Sequence, residues 1–268
     1  MSEYTKICEQ AVRAGGAEVL DWIERFDVRE KGPADLVTQA DLASQETIRR
    51  TVLEAFPQHS LLGEEDEGTK RPADRTEYRW IADPLDGTTN YVHRVPHFCV
   101  SLALERSGEL LTGAVFDPMR DECFTATAGE GAFLNGRPIH ASNVIDLGNT
   151  LAAVGFPPRC RRDSLDLLVF LEAMTVCQAI RRTGSSALNL CYLAAGRFDV
   201  YWSFSTKIWD MAAGALIVRE AGGIVTGTDG GSLVLDTGHF LAAANEPLHA
   251  QLRAMVARAR KSSPEGSS

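Results

Sequence analysis

Residues 80–90 read Trp80-Ile81-Ala82-Asp83-Pro84-Leu85-Asp86-Gly87-Thr88-Thr89-Asn90. A short apolar strand runs into two carboxylates three positions apart, then into a glycine and two threonines. Pro84 disfavours helix at Asp83 and fixes a turn between the acids, which leaves the Leu85 carbonyl between them. Taken singly, Asp-Pro and Asp-Gly are common turn dipeptides, and Asp86 is placed to cap a helix beginning near Gly87. Taken as a run, two carboxylates and a carbonyl are the hard oxygen donors that Mg2+ selects. Gly87 and Thr88 offer N–H groups at a helix start, where phosphate binds well; a plain turn is the competing account. The Thr88 hydroxyl is also available to position a water.

Upstream, apolar residues recur at helical period through residues 4–26, and a second amphipathic helix is expected from Asp41 to Phe56, stopped by Pro57. Thr38 and Asp41 have the spacing of a capping box at its start. Gly63-Glu64-Glu65-Asp66 is an acidic run that by itself reads as a solvated loop, although the apolar entry Leu61-Leu62 and the glycine favour an inward Glu64. Downstream, FCVSLALE and LLTGAVFD flank a hairpin turn at residues 106–109, and ECFTATA continues the sheet. Beyond residue 150, strands and helices alternate to a final helix PLHAQLRAMVARA, the pattern of a sheet covered by helices. Asp210 opens one of these helices, where an acid suits the helix dipole whatever else it does. The same holds for Asp41. The run Ala212-Ala213-Gly214 lets that helix approach other backbone closely. We therefore divide the chain into residues 1–150, carrying most of the acids, residues 151–260, supplying Asp210, and a disordered tail over 261–268.

Composition narrows the function classes. The chain has 268 residues, 44% of them apolar, with Lys+Arg 27 against Asp+Glu 36 and a net charge of −9. That balance opposes non-specific binding to nucleic acid or anionic membrane. An anionic small substrate is still compatible, because bound cations invert the local charge. Six scattered cysteines without a CxxC pair read as reduced, mostly buried thiols. Neither a secretory leader nor a membrane-length apolar run is visible, so a cytoplasmic protein is expected. His93 and His97 flank Pro96 without an HExxH pattern and read as structural. Ser185 and Ser186 open a helix and read as caps. No GxSxG elbow or Walker loop supports a serine hydrolase or a nucleotide kinase.

The ordered motifs DLVTQAD (35–41), FPQHSLLGEE (56–65), WIADPLDGTTNYVH (80–93), GEGAFLNG (129–136), RRTGSSALNL (181–190) and WDMAAGALIVREAGG (209–223) resemble the inositol monophosphatase family of magnesium-dependent, lithium-sensitive phosphomonoesterases. The resemblance extends from the first helix to the last. It implies a mixed α+β / α/β fold, a five-layered α-β-α-β-α sandwich of the sugar-phosphatase type, usually dimeric. By motif position, Glu64, Asp83, Leu85 (through its carbonyl) and Asp86 match ligands of two metal sites. Asp210 completes the second, and Glu65 supports a third ion, giving two or three Mg2+ per site. Gly87 and Thr88 match phosphate-binding residues, and Asp41 matches the partner of the catalytic Thr88. The implied reaction is direct in-line attack of water, positioned by Glu64 and Thr88.

One loop departs from the pattern. Inositol-specific members carry a glutamate seven residues before the final metal aspartate, and here that position is Ser203. A serine hydroxyl cannot accept two substrate hydroxyls as a carboxylate can. Ser203 and Lys207, with Ser185 and Ser186, are the candidate substrate contacts; Lys207 suits a more anionic ester, and a solvated surface lysine is the equally simple account. Trp202 and Phe204 read as sheet packing or as a stacking surface. Three readings follow: a phosphatase of inositol phosphate or another polyol or sugar phosphate; one for histidinol phosphate or a nucleotide 3′-phosphate; or a non-catalytic metal-binding or regulatory protein on this fold.

Overall fold

A computed structural model of the chain describes residues 2–32, 35–66, 76–157 and 159–261. Its elements run α1 (Glu3–Trp22), β1 (Val28–Gly32), β2 (Asp35–Thr38), α2 (Gln39–Ala55), β3 (Ser60–Gly63), β4 (Tyr78–Asp86) and α3 (Thr88–Val92). Then come β5 (Cys99–Arg106), β6 (Glu109–Asp117), β7 (Glu122–Thr127), β8 (Gly131–Leu134), β9 (Arg137–Pro138), β10 (Leu151–Val154) and α4 (Leu165–Val176). The chain continues through β11 (Ala179–Arg181), α5 (Ser186–Ala194), β12 (Val200–Ser203), α6 (Ile208–Glu220), β13 (Ile224–Thr226), β14 (Phe240–Ala243) and α7 (Glu246–Lys261).

Strands β3 to β9 form a seven-stranded sheet in sequence order, and β10 to β14 form a second sheet ordered β11-β10-β12-β14-β13. Three apolar clusters follow from this division. Helices α1 and α2 pack on one face of the first sheet through Val12, Val19, Ile48 and Val52. Helices α5 and α6 fill the space between the sheets, where Leu188, Met211 and Ile217 meet Ile81, Val115 and Tyr201. Helices α4 and α7 cover the outer face of the second sheet through Val169, Leu252 and Met255 against Trp202 and Leu241. The layers are thus α-β-α-β-α, as the resemblance implies. Strand alternation sends Tyr201 and Trp202 to opposite faces, so Trp202 is fully buried packing. The sandwiched helices must approach backbone closely, and their small residues allow it: a Cβ on Gly113 of β6 would stand 3.0 Å from Ala213 Cα of α6.

Four sequence expectations change. The first helix ends at Trp22; Phe26 belongs to the apolar pattern because it packs on Tyr91 as non-helical chain, 4.9 Å between ring centroids. The segments β1 and β2 make a small antiparallel pair that the sequence pattern does not announce. Strand β4 does not stop at Asp83: it continues to Asp86 with a bulge, three steps on β4 (Asp83 to Asp86) facing two on β5 (Ser101 to Cys99). Helix α7 includes Lys261, and the remainder of the expected tail, 262–268, lies outside the described residues. Cys8, Cys99, Cys123 and Cys191 are buried free thiols, while Cys160 is exposed. Among the described residues no helix is long and apolar enough to cross a membrane.

Candidate active site

The acids are gathered by sheet register. Strand β3 runs parallel to β4 with Gly63 opposite Ala82, so the chain leaving β3 at Glu64 emerges beside Asp83. The β4 bulge then carries Asp86 past Asp83 along the same edge, an irregularity suited to a residue with no N–H for the ladder, here Pro84. Ser44 of α2 secures the bulge by donating to the Pro84 carbonyl at 2.8 Å. Helix α6 arrives from the other side, and Ser101, the β5 partner of Asp83, donates to the Trp209 carbonyl at 3.4 Å. Asp210 is thereby brought to the same place.

Each acid also has structural work. Asp83 is 1% exposed and accepts the Leu85 N–H at 3.0 Å. Asp86 is buried, its Oδ2 accepting Ser185 Oγ at 2.6 Å and Ala187 N–H at 2.7 Å at the start of α5. Asp210 Oδ2 accepts the Lys207 N–H at 2.9 Å, so the first-turn capping role is real. Asp41, fully buried, accepts the Thr38 N–H and hydroxyl on Oδ2 at 2.8 and 2.7 Å, completing the capping box. Its Oδ1 faces the Thr88 hydroxyl at 3.3 Å, which also reaches the Leu85 carbonyl at 3.1 Å. Gly87 precedes α3 with φ +99°, a conformation that favours glycine.

Electrostatics set this cluster apart. Burial pushes the Asp83 carboxyl well above its ordinary range, reinforced by the negative charges of Glu64, Asp86 and Asp210. Asp210 is raised by its surroundings and by Asp86. Asp86 is pushed up to about 6 by burial, against the stabilising donors at the start of α5. The charges acting on one another here are all carboxylates. Among the described residues no three His, Cys, Asp or Glu side chains form an assembled metal site. Asp83 and Asp210 lie close enough to share a side-chain hydrogen bond, and the donor set, carboxylate oxygens and one carbonyl, is the one a hard divalent cation takes.

The acidic run after β3 divides by role. Asp66 pairs with Arg49 and accepts the Gly63 N–H, so it is structural. Glu65 is held through its N–H by Gln45 Oε1 at 3.0 Å. Gly63 packs so tightly on Gln45 that an added Cβ would lie 2.2 Å from Oε1. Gly63→Ala must therefore displace the Gln45 side chain that accepts the Glu65 N–H. We expect about 1–3 kcal/mol of destabilisation by chemical denaturation, with a matching loss of any activity that depends on Glu64.

The substrate candidates differ in their surroundings. Ser203 is 1% exposed and lies behind Gly155, because its position on β12 turns it toward the interior with Tyr201. Ser185 is equally buried; it caps α5 and orients Asp86. Ser186, accepting the Tyr201 hydroxyl at 3.0 Å, lines a cavity of about 450 Å³ with Asn90, Phe156, Arg182 and Asn189. Lys207 is exposed, its ammonium 5.9 Å from the Trp209 ring. A further cavity, about 600 Å³, is lined by Arg79, Glu105 and Leu233, and none of the candidate acids lines it. Missed from sequence were Gln45 and Ser44, which look like ordinary helix-surface residues and become supports only through packing. His93 and His97 stay outside the acid cluster, and His97 packs edge-on against Tyr192.

The family model described as "Inositol monophosphatase family" matches residues 1–264. The chain belongs to the inositol monophosphatase family. It is similar to a Pseudomonas aeruginosa protein named Nus factor SuhB, 42% identical over 90% of this chain and 92% of the relative. It is equally similar to an inositol-1-monophosphatase of Rhizobium meliloti, 41% identical over 96% of this chain and 97% of that one. Among solved structures, the extragenic suppressor protein suhB of Bartonella henselae superposes with a TM-score of 0.89 at 37% identity, covering 95% and 98% of the two chains. Membership in the inositol monophosphatase family thus extends over both sheets and all seven helices described.

Proposed function

We propose that the chain is a magnesium-dependent phosphomonoesterase acting on inositol monophosphate or a related polyol or sugar phosphate. The observation that carries the reading is the pair of buried acids Asp83 and Asp86 with half-buried Asp210 beside Glu64, brought together from both halves of the molecule at an electrostatic cost. Such an arrangement needs a compensating cation. Glu64, Asp83, Asp86, Asp210 and the Leu85 carbonyl would hold two Mg2+ ions, and Glu65 would help to hold a third. When bound, Mg2+ supplies Lewis acidity to water and to the phosphate oxygens.

The chain's own groups do the rest. Thr88 Oγ1, set between Asp41 and the Leu85 carbonyl, orients the attacking water, and Glu64 accepts its proton. The N–H groups of Gly87 and Thr88 receive the phosphate. Such fixed donors suit a phosphomonoester, whose uncatalysed hydrolysis is among the slowest reactions known. The proposal extends to lithium sensitivity and to a homodimer acting in the cytoplasm on a small phosphorylated metabolite. The Rhizobium relative's name supports this substrate class. Histidinol phosphate and nucleotide 3′-phosphates are the alternative esters.

The name Nus factor, carried by the Pseudomonas relative, favours a second reading, in which the chain acts by association with another macromolecule. One assay addresses both. Phosphate release is measured with and without Mg2+, and with Li+, on inositol 1-phosphate, sugar phosphates, histidinol phosphate and adenosine 3′,5′-bisphosphate. Magnesium-dependent turnover supports the phosphatase. Silence across the panel, with metal bound, would leave the association reading.

A further inference from the structure

The cavity of about 450 Å³ touches the acid cluster at one residue. Ser185, which donates to Asp86 at 2.6 Å, is also in its wall, and Thr89 and Asn90 continue that wall directly from Thr88. An ester whose phosphate sits at Gly87 and Thr88 would place its alcohol portion here. The wall is polar, with Ser186, Asn189 and the Tyr201 hydroxyl, and among the described residues its one cation is Arg182.

Arg182 is exposed, and its contacts lie in the cavity wall. Among the described residues it makes no ion pair. Its guanidinium lies 5.5 Å over the Phe156 ring, which is itself set edge-on against Phe170 at 5.6 Å. Stacking restricts the side chain while leaving its N–H donors free for another group. The backbone beside it is fastened to the acid loop, because Asn90 Nδ2 donates to the Thr183 carbonyl and to the His97 carbonyl, both at 2.8 Å. Gly184 follows with φ +93°, and a Cβ there would stand 2.8 Å from Asn90 Nδ2. Arg182 thus places a positive charge in the same cavity wall as Thr89 and Asn90, the residues that follow Thr88. Ser203, at the family's glutamate position, adds no carboxylate to oppose it.

We propose that Arg182 is a specificity-determining residue that reads a second anionic group, phosphate or carboxylate, on the alcohol portion of the ester. The inference rests on the phosphatase reading and names its substrate class. A planar guanidinium binds such a group through paired charge-assisted hydrogen bonds. Neutral polyol monophosphates would use the cavity without engaging it.

The test compares kcat/KM for fructose 1,6-bisphosphate and adenosine 3′,5′-bisphosphate against fructose 1-phosphate and adenosine 3′-monophosphate, in the wild type, Arg182→Gln and Arg182→Lys. The wild type should prefer at least one doubly anionic ester. Arg182→Gln should lose about 10- to 100-fold on that ester, the range of a charge-assisted hydrogen bond, and less than about threefold on its monophosphate. Arg182→Lys, keeping charge without the planar fork, should fall between. Elution volume and Tm are read for each variant, so that a change in assembly or folding is separated from recognition. Equal preference in the wild type, or a uniform loss across both ester classes, overturns the inference. Magnesium-dependent release from p-nitrophenyl phosphate is the control: its absence sinks the phosphatase reading itself, whereas its presence with no Arg182 effect sinks only this one.

Discussion

Asp83→Asn should lower magnesium-dependent phosphate release on the order of 10³-fold while raising the melting temperature of the metal-free protein. The two effects have one cause. Asp83 is buried, and its carboxylate is disfavoured by burial and by Glu64, Asp86 and Asp210. An asparagine of the same shape keeps an oxygen for the Leu85 N–H, which Asp83 now accepts at 3.0 Å. It also removes one charge from the cluster, which favours the folded state without metal. The same lost charge removes a ligand where hard cations demand one, and losing one preorganised electrostatic contact commonly costs 10²- to 10³-fold. Thermal melts in EDTA and initial rates in Mg2+ on one preparation test both halves. Retained turnover in a folded variant would reduce Asp83 to a turn residue.

Metal-free protein should lose stability as pH rises from about 4 to about 6 and beyond, opposite to the usual behaviour of salt-bridged carboxylates. Asp86 titrates at about 6 in the fold against an ordinary 3.8. A carboxyl raised in this way binds its proton more tightly when folded, so its contribution is complete below the unfolded value. That contribution is lost as pH rises through the folded value. For Asp86 alone this amounts to about 3 kcal/mol, several degrees in Tm for a chain of this size. Asp83 and Asp210, also raised, extend the decline to higher pH. Magnesium binds the deprotonated folded form and should reverse the loss at pH 7–8, by about 2.7 kcal/mol at a hundredfold excess over its dissociation constant. A Tm that stays flat in EDTA between pH 4.5 and 8, or that ignores Mg2+ at pH 8, would show that these acids do not share one site.

The competing roles of the site residues need no choice between them. Asp41 was readable as a first-turn cap and as the partner of a catalytic threonine, and its two oxygens serve both: Oδ2 caps α2, and Oδ1 meets Thr88. Asp210 caps α6 through Oδ2 in the same way. A carboxylate has two oxygens and about four acceptor positions, so holding one oxygen by local structure orients the other. Asp86, saturated on Oδ2 by the start of α5, follows the same logic.

What the sequence by itself determined were the features whose signals are local. The helices show their 3.6-residue period, the turn at residues 106–109 shows its glycine, and Thr38 and Asp41 show their three-residue spacing. The run from Asp83 to Thr88 holds its donors within six consecutive positions. The tertiary structure alone decided which distant acids meet and which polar residues reach a cavity. Strand β3 is four residues without alternation, so its parallel pairing with β4, which sets Glu64 beside Asp83, is invisible until the sheet forms. The β4 bulge looks like a strand end because proline interrupts the pattern, although the ladder resumes at Asp86. Ser203 stood in a loop that suggested substrate contact, whereas no sequence signal singled out Arg182. Strand alternation buries the first, and the stacked Phe156 holds the second at the cavity wall. Spacing along a chain specifies local hydrogen bonds, whereas exposure and convergence depend on what packs from elsewhere, which no local pattern encodes.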